Sequence, residues 1–408
     1  MLVFYFFAAI VIWLGVLSLY GGLRFASYLR REMERPVPDF TPFVSVIVPC
    51  RGLEDGLREN ITALFEQNYP AYEIIFVTDR AGDRAFSVIH EVRQLWQDAW
   101  YPVTQCVIAG AAIESGQKVH NLIAAVSKID LRSEVLVFVD TDTRPQVNWL
   151  RSLVAPLSEK HVGAASGYRW FIPERGGLAS QLRSVWNASI ASALGEREDK
   201  NFCWGGSTAI RRSTFADLRV SERWRGTVSD DFTLTRTLQE AKQPIHFVPA
   251  CLVPSIGDCS VRELLAFTNR QLRVTRIYAP HLWRPLLIGS FLFCAVFFGG
   301  ALLAVVRAML SLPNTLLLTV WLLIYLLGSA KAYIRLKAVA IPLSNYRKQL
   351  WKTLPAHLLL WPIASLLYLC NAVTAAISRR IKWRGITYEL KSASEAVIIA
   401  RDSDFGVR

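Results

Sequence analysis

The sequence predicts an α/β domain held between membrane-spanning segments, and three patterns in its 408 residues support that prediction. Short, β-branched apolar runs alternate with helical patterns from Val44 to about residue 157, which is typical of a doubly wound parallel sheet. Uncharged runs of 22 or more residues stand before and after this domain. Aspartates follow several of the apolar runs, where the strands of such a sheet end.

The composition favours a membrane protein over an ordinary soluble enzyme. The chain is 52% hydrophobic and 12% aromatic, with a mean hydropathy of +0.27. Its 46 basic residues exceed its 33 acidic residues, which gives a formal net charge of +13. Much of this excess lies beside the uncharged runs, as expected of cytoplasmic loops near an anionic leaflet. We therefore expect the membrane as a partner, and no nucleic acid.

The first uncharged run predicts a transmembrane anchor over residues 1–23, because roughly 20 apolar residues suffice to cross a bilayer. This run lacks the basic start and the small-residue cleavage site of a signal peptide. Residues 24–42 follow as a basic linker that contains three prolines. The basic residues after the anchor place the next domain, residues 43–260, in the cytoplasm.

The first half of the 43–260 domain alternates regularly between strand and helix patterns. The predicted strands are 44–50, 73–78, 104–109 and 134–140, and the predicted helices are 57–67, 83–97, 117–128 and 146–157. In a parallel, doubly wound sheet, ligands bind beyond the carboxyl ends of the strands. Arg51, Asp79, Asp140 and Asp142 fall at those ends, so we expect a binding site there.

The C-terminal part of the chain predicts an interfacial helix followed by membrane segments. Residues 261–284 form a basic amphipathic pattern with Arg270 and Arg273 on one face. Residues 285–378 contain three uncharged runs, which predict three transmembrane or re-entrant segments. The last run either crosses the membrane once or re-enters after a break near Trp361-Pro362. Residues 379–408 are predicted to be a basic, then polar tail.

The Asp140-Thr-Asp142 sequence supplies two oxygen ligands of the kind that Mg²⁺ or Mn²⁺ prefers. One carboxylate can hold the metal ion and the other a ribose hydroxyl, while the metal offsets charge on a departing diphosphate. The alternative is that these aspartates cap the following helix.

Four further residues can take part in transfer chemistry. Asp231 stands at a predicted helix start, where a carboxylate can take the proton of an acceptor hydroxyl, although Ser229-Asp230-Asp231 also fits a helix N-cap. Arg270 and Arg273 either clamp a diphosphate through charge-assisted bonds or form a solvated basic face. Lys118, near the start of another predicted helix, suits an anion.

Taken in order, these residues resemble the motifs of the family-2-type inverting glycosyltransferases. The resemblance is closest to the ceramide glucosyltransferase-like branch, which includes bacterial hopanoid-associated N-acetylglucosaminyltransferases. It runs from about Val44 to Pro280. The matching segments are Val44–Gly52, Phe76–Asp83, Lys118–Leu122, Asp140–Asp142, Cys203–Ser207, Ser229–Asp231 and Arg270–Val274.

The resemblance implies a GT-A fold, which is a Rossmann-like nucleotide-sugar domain, with Mg²⁺ or Mn²⁺ as cofactor and a UDP-sugar as donor. It implies that Asp231 is the catalytic base and that Asp142 and Asp140 hold the metal. The residues that it implies for nucleotide binding are Arg51, Asp79, Lys118, Asp140, Arg270 and Arg273. Val274 stands where the family has tryptophan, and this change weighs against processive synthases, which use that tryptophan as a platform for the growing chain.

We therefore expect an integral membrane hexosyltransferase with a cytoplasmic catalytic domain, in the inner or plasma membrane if the protein is bacterial. It would move one sugar, with glucose favoured, from a UDP-sugar to the hydroxyl of a lipid such as ceramide, diacylglycerol or a hopanoid. Two alternatives stay open at this point. One is a processive polysaccharide synthase, and the other is a non-catalytic membrane scaffold with a degenerate glycosyltransferase domain.

Overall fold

The computed structural model describes residues 1–96 and 102–402, so residue 97 of the predicted helix 83–97 and residues 403–408 of the predicted tail lie outside the described residues. The chain divides into two compact units, named here the helical unit and the sheet unit. The helical unit comprises Met1–Arg31, Phe171–Ala193 and Ile256–Ser378. The sheet unit comprises Glu32–Trp170, Leu194–Ser255 and the described residues from Arg379 onward. Each unit therefore combines stretches that are far apart in the sequence.

The described residues contain ten strands and fifteen α-helices. In chain order the strands are β1 Val44–Pro49, β2 Tyr72–Thr78, β3 Val103–Ile108, β4 Val135–Phe138, β5 Ala164–Ile172, β6 Thr208–Arg211, β7 Ile245–Ile256, β8 Arg380–Trp383, β9 Ile386–Leu390 and β10 Ala396–Arg401. The helices are α1 Leu2–Glu34, α2 Leu57–Phe65, α3 Ala85–Leu95, α4 Gln117–Val126, α5 Trp149–Val154, α6 Leu178–Ala191, α7 Arg212–Asp217, α8 Val220–Trp224, α9 Asp230–Glu240, α10 Val261–Tyr278, α11 Pro280–Met309, α12 Thr315–Val339, α13 Arg347–Lys352, α14 Leu354–Leu359 and α15 Trp361–Ile377.

A seven-stranded sheet in the order β3-β2-β1-β4-β6-β5-β7 forms the centre of the sheet unit. Strand β1 pairs in parallel with β2 and β4, and β2 pairs in parallel with β3. Strand β6 runs antiparallel to β4 and β5. The predicted α/β class is confirmed, and the predicted parallel pairing holds for β1–β4; the sheet as a whole is mixed, because β6 is antiparallel to its two neighbours. The first four predicted strands agree with β1–β4 to within two residues at each end.

The core of the sheet unit explains why its central strands are so apolar. Strands β1 and β2 are buried along almost their whole length, as expected of parallel strands covered on both faces. Ile47, Ile75 and Leu136 belong to one buried cluster with Leu122 of α4. Because β1 pairs with both β2 and β4 in parallel, the carboxyl ends of these three strands lie side by side.

The helical unit contains three helices that are long and apolar enough to cross a membrane, among the residues that the structure describes: α1, α11 and α12. Helix α1 is longer than the predicted anchor and continues to Glu34. No proline or glycine interrupts residues 24–34, and Phe25 and Leu29 are buried. The first part of the predicted linker is therefore helical, and the linker prediction is corrected there.

The predicted amphipathic helix 261–284 is divided between two helices. Helix α10 begins with a capping box formed by Ser260 and Glu263 and ends at Tyr278, and α11 begins at Pro280. Asn269 of α10 accepts hydrogen bonds from two side chains of α15, Asn371 at 2.9 Å and Thr374 at 2.6 Å. These bonds fix α10 against α15 within the helical unit.

The last uncharged run, residues 353–378, is not one continuous helix. Helix α14 ends at Leu359, and α15 begins at Trp361 with Pro362 in its first turn. This is the position of the break that the re-entrant alternative requires. Helix α15 has 17 residues, which corresponds to about 25 Å, less than the roughly 30 Å of a bilayer core.

The segment that the sequence suggested to be a tail is an ordered antiparallel sheet in the order β10-β9-β8. It belongs to the sheet unit. Ile386, Tyr388 and Leu390 are buried, whereas the alternating Thr387 and Glu389 are partly exposed. This period of two is the pattern of a strand with one covered face. We correct the tail prediction accordingly and name residues 380–401 the C-terminal sheet.

Candidate active site

The adjacent carboxyl ends of β1 and β2 bring Arg51 and Asp79 together. Nη1 of Arg51 lies 3.7 Å from Oδ2 of Asp79. Burial lowers the pKa of Arg51, and the neighbouring Asp79 partly offsets this. Within the described residues, Oδ1 of Asp79 is buried and accepts no hydrogen bond. A buried acceptor without a partner is costly unless a ligand supplies a donor. This oxygen is therefore suited to accept a hydrogen bond from an N–H group of a ligand.

A second group of site residues surrounds Lys118 at the start of α4. The Nζ atom of Lys118 lies 2.7 Å from Oδ1 of Asp140 and 3.1 Å from Oδ1 of Asp230. Burial opposes the charged form of Lys118, but Asp140, Asp230 and Asp231 outweigh it and raise the pKa of the ammonium group. Lys118 therefore stays charged and neutralises carboxylates that would otherwise repel one another. Binding of an anionic ligand by Lys118 remains a prediction.

Arg169 of β5 is a site residue that the sequence analysis missed. Its Nη1 atom lies 2.8 Å from Oδ2 of Asp142, and its Nη2 atom lies 3.8 Å from Oδ2 of Asp140. The guanidinium carbon also lies 4.7 Å from the ring centroid of Trp204, within range of a cation–π contact. No motif includes Arg169. The available signal was that it is the one charged residue of an otherwise uncharged strand.

The two aspartates at the start of α9 have different surroundings. Asp230 is buried and faces Lys118. Burial raises the pKa of Asp230 to about 7, with Lys118 acting against this rise and Asp231 and Asp140 adding to it. Asp231 is partly exposed, and its Oδ1 atom accepts hydrogen bonds from the Ser229 hydroxyl and from the backbone N–H of Phe232. Solvent therefore reaches Asp231 more readily than Asp230.

The hydrogen bonds of Ser229 show whether its side chain caps α9. The Ser229 hydroxyl donates to Asp231 and makes no side-chain cap to the backbone of α9. The charge of Asp231 contributes to the raised pKa of Lys118 and adds to the effect of burial on the pKa of Tyr168. The capping alternative for Ser229 is therefore not observed, and Asp231 belongs to the same cluster of charges as Asp140.

Gly205 allows this cluster to form. A Cβ atom at position 205 would lie 2.5 Å from Nζ of Lys118 and 2.7 Å from Oδ2 of Asp230. Both distances are shorter than real Cβ contacts, so any other residue would push the ion pair apart. The loop of Gly205 is continuous with Trp204, which lies beneath Arg169.

The start of α4 connects the two groups of site residues. The backbone N–H of Gln117 donates to the Tyr388 hydroxyl at 3.1 Å, and Lys118 is the next residue. Burial raises the pKa of Tyr388, and the charge of Arg51 acts against this rise whereas that of Asp79 adds to it. Six of the predicted site residues therefore lie in the sheet unit, around the start of α4: Arg51, Asp79, Lys118, Asp140, Asp142 and Asp231.

The carboxylates of the site provide only some of the ligands that a divalent cation needs. Among residues 1–96 and 102–402, no three His, Cys, Asp or Glu side chains are arranged to hold a metal ion. Mg²⁺ needs no such cage, because it commonly binds one or two carboxylates together with phosphate oxygens and water. Asp142, whose side chain is 43% exposed, and Asp140 fit this mode. Both carboxylates also interact with Arg169. A bound cation would therefore have to displace the Arg169 guanidinium or share the two carboxylates with it.

Arg270 and Arg273 are not part of the cluster in the sheet unit. They lie on α10 of the helical unit, where the guanidinium carbon of Arg270 is 5.9 Å from the Phe267 ring centroid. Val274, at the position of the motif tryptophan, is buried in α10. The assignment of Arg270 and Arg273 to the diphosphate stays a prediction.

Comparison with known proteins identifies one sequence family. The profile of glycosyl transferase family 21 matches residues 3–396. Among solved structures, a mannosyltransferase from Pyrobaculum calidifontis in complex with GDP-mannose and Mn²⁺ is similar at 18% identity and a TM-score of 0.48, over 91% of this chain and 98% of that chain. Glucosyl-3-phosphoglycerate synthase from Mycobacterium tuberculosis, in complex with Mn²⁺, UDP-glucose and glycerol 3-phosphate, is similar at 14% identity and a TM-score of 0.35, over 55% and 76%.

Proposed function

The chain belongs to glycosyl transferase family 21, and from this premise we propose that it transfers one hexosyl group from a UDP-sugar to the hydroxyl of a membrane lipid. Membership of the family makes the protein a hexosyltransferase. The observation that best supports our proposal is the convergence of Asp140, Asp230 and Asp231 around Lys118. These residues come from three distant stretches of the chain and converge on one site.

The donor nucleotide is assigned to the carboxyl ends of β1, β2 and β4. In this proposal Oδ1 of Asp79 accepts the imide N–H of uracil, since that oxygen is buried and accepts no hydrogen bond from the described residues. Arg51 holds Asp79 in place through their ion pair. Asp140 and Asp142 hold the ribose and an Mg²⁺ or Mn²⁺ ion. That ion would offset negative charge on the diphosphate.

Asp231 is proposed as the catalytic base. It accepts the proton of the lipid hydroxyl while the hydroxyl oxygen attacks the anomeric carbon. The bond between that carbon and the diphosphate oxygen breaks, UDP leaves with the electron pair, and the configuration inverts. Asp230 is unsuited to this role because it is buried against Lys118. Arg270 and Arg273 are proposed to stabilise the departing UDP through charge-assisted bonds.

The acceptor is proposed to be a lipid because the same chain carries long apolar helices. Helices α1, α11 and α12 are each long and apolar enough to cross a bilayer, which supports a membrane location and, with it, a lipid acceptor. Ceramide is our first candidate, with diacylglycerol and hopanoids as the others, and glucose is the favoured sugar. Val274 in place of the motif tryptophan supports a single transfer over polymer synthesis.

We also propose that the C-terminal sheet lies on the same side of the membrane as the sheet unit, in the cytoplasm. The chain leaves the sheet unit after Ser255 and returns to it at Arg379, so it crosses the bilayer an even number of times between them. Helices α11 and α12 supply two crossings. The shorter α15, preceded by a break, then re-enters without crossing.

The experiment that tests the function uses full-length protein in detergent with Mn²⁺, a panel of UDP-glucose, UDP-galactose, UDP-N-acetylglucosamine and GDP-mannose, and ceramide, diacylglycerol and hopanoid acceptors. Mass spectrometry should find one hexose added to one lipid class, with UDP released in equal amount. A long polymer would favour the processive alternative. Absence of lipid product with every combination would reject the proposal.

A further inference from the structure

The hairpin turn between β8 and β9 places an arginine inside the sheet unit. Arg384 and Gly385 both have positive φ, 49° and 71°, which fits a two-residue turn of a β-hairpin. A left-handed conformation is unfavourable for arginine and persists only where other contacts enforce it. Here the Arg384 side chain forms an ion pair with Glu54 and donates a hydrogen bond to the backbone carbonyl of Arg51 at 3.5 Å. The turn thus bonds to the loop that carries Arg51.

Strands β9 and β10 bond to the start of α4. The Tyr388 hydroxyl accepts the backbone N–H of Gln117 at 3.1 Å, one of the donors at a helix start that no helical carbonyl can satisfy. Arg401 donates to the Gln117 side-chain oxygen at 3.4 Å and to the Ala112 carbonyl. These contacts surround the residue that precedes Lys118.

The turn between β9 and β10 packs against the loop that leads to Asp231. A Cβ atom at Gly226 would lie 2.4 Å from the carbonyl oxygen of Ser394, so these two backbones are in close contact. The N–H of Gly226 donates to the Ser115 hydroxyl at 2.8 Å, and the N–H of Gly116 donates to the Thr227 carbonyl at 2.7 Å. The loop before Asp231 is thereby fixed to both the C-terminal sheet and the start of α4.

These three sets of contacts hold the loop that carries Arg51, the loop that leads into α4 and Lys118, and the loop that leads into α9 and Asp231. We propose that the C-terminal sheet is part of the nucleotide-sugar site, with Arg384 and Tyr388 as positioning residues that keep these loops in the arrangement that binds the nucleotide. The inference rests on the proposed function and extends it to residues outside the sequence motifs. Arg384 acts through Arg51, and Tyr388 acts through the start of α4, so neither needs to touch the substrate.

The test measures nucleotide binding directly and needs no lipid acceptor. Full-length wild type, Arg384→Gly, Arg384→Lys, Tyr388→Phe and the control Lys382→Gln are titrated calorimetrically with UDP and, separately, GDP in the presence of Mn²⁺. Glycine at 384 keeps the left-handed turn without strain and removes only the side-chain contacts. Lys382 lies on the same hairpin but is exposed and pairs with Asp402, so its substitution leaves the loops in place.

We expect Arg384→Gly to weaken nucleotide binding about tenfold and Tyr388→Phe about fivefold, as the loss of one or two hydrogen bonds predicts. Arg384→Lys should recover part of the affinity, and Lys382→Gln should bind like the wild type. In turnover assays with the donor panel, KM for the donor should rise while kcat changes less than twofold. Unfolding temperatures measured on the same samples identify a purely structural effect, which would lower stability while leaving the affinity of folded protein unchanged.

The titrations distinguish failure of the proposed function from failure of this inference. If the wild type binds neither UDP nor GDP, the proposed function is wrong and this inference is lost with it. If the wild type binds a nucleotide and the Arg384 and Tyr388 variants bind it equally well, the C-terminal sheet has no part in the nucleotide site and this inference alone is rejected.

Discussion

Arg169 and Asp142 form an ion pair of 2.8 Å between Nη1 and Oδ2. This pair joins β5 to the loop after β4 and places a fixed cation beside the carboxylate that we assign to the metal ion. Arg169 also lies 3.8 Å from Asp140. A divalent cation at this site therefore competes with a positive charge that already partly neutralises both carboxylates.

Arg169→Gln should tighten Mn²⁺ binding in the absence of nucleotide by about threefold to tenfold, because a competing cation is removed. Asp142→Asn should weaken Mn²⁺ binding in the presence of UDP by about tenfold. Free Mn²⁺ measured by electron paramagnetic resonance gives both affinities. Arg58→Gln is the control, since Arg58 is exposed and pairs with Glu91. Unchanged Mn²⁺ affinity in Asp142→Asn would remove Asp142 from the metal site.

Asp231→Asn should lower kcat by about 10²- to 10⁴-fold, the range for loss of a general base. Binding of the donor nucleotide should change little, because the amide has the size of the carboxylate. Activity assays and UDP titrations on the same preparation check this. Asp217→Asn, an exposed acid on α7, serves as control, and wild-type turnover by Asp231→Asn would show that another group is the base.

Gly205→Ala should reduce activity strongly and destabilise the sheet unit by about 1–3 kcal/mol, the usual cost of overpacking. The new methyl group would collide with Nζ of Lys118 and Oδ2 of Asp230. Gly299→Ala in α11 is the control, because no atom lies within 4 Å of a Cβ at that glycine. Activity and thermal inactivation should both separate the two variants, and equal behaviour would contradict the close packing described for Gly205.

The stability of the protein should fall as the pH rises from about 6.5 through 9. His246 lies between Glu198 at 2.7 Å and Glu32 at 3.3 Å. Burial opposes its charged form, but these carboxylates outweigh burial and raise the pKa of His246 to about 9. Since this pKa is above the unfolded value of about 6.5, the stabilisation is complete below that pH and is lost as the histidine deprotonates.

The size of this effect should be on the order of 2 kcal/mol. His246→Gln should flatten the pH dependence of the unfolding temperature, and His161→Gln, a change at a histidine that is 62% exposed, should leave it unchanged. A wild-type unfolding temperature that stays constant from pH 6.5 to 9.5 would contradict the assignment.

Membrane-impermeant maleimide should label Ser392→Cys and Lys128→Cys from the same side of sealed vesicles, and Ser311→Cys from the other side. Ser392 lies between β9 and β10, Lys128 follows α4, and Ser311 lies in the turn between α11 and α12. All three are exposed. Labelling is scored above the wild-type background of natural cysteines. Labelling of Ser392→Cys together with Ser311→Cys would mean that α15 crosses the membrane.

The sequence predicted the elements whose signals are local. Strands β1–β4 were found because their apolar runs end at turn residues, and α4 was found from its helical period. The positions of Asp79, Asp140 and Asp231 followed from strand ends and a helix start. Arg169 is the one charged residue of β5, but its role depends on its contacts with Asp140 and Asp142, which no short window of sequence reveals.

The amino-acid sequence by itself determined the α/β class, the apolar spans and the family, because hydrophobic period, uncharged length and ordered motifs are properties of the chain before it folds. Only the tertiary structure decided that Lys118 lies between Asp140 and Asp230, that Arg169 joins the acidic cluster, and that the last strands pack beside Arg51. The physical reason is that contacts between residues separated by 27 positions, as in Arg169–Asp142, or by 333 positions, as in Arg384–Arg51, are selected by burial of the whole core. No local preference of the individual residues specifies them.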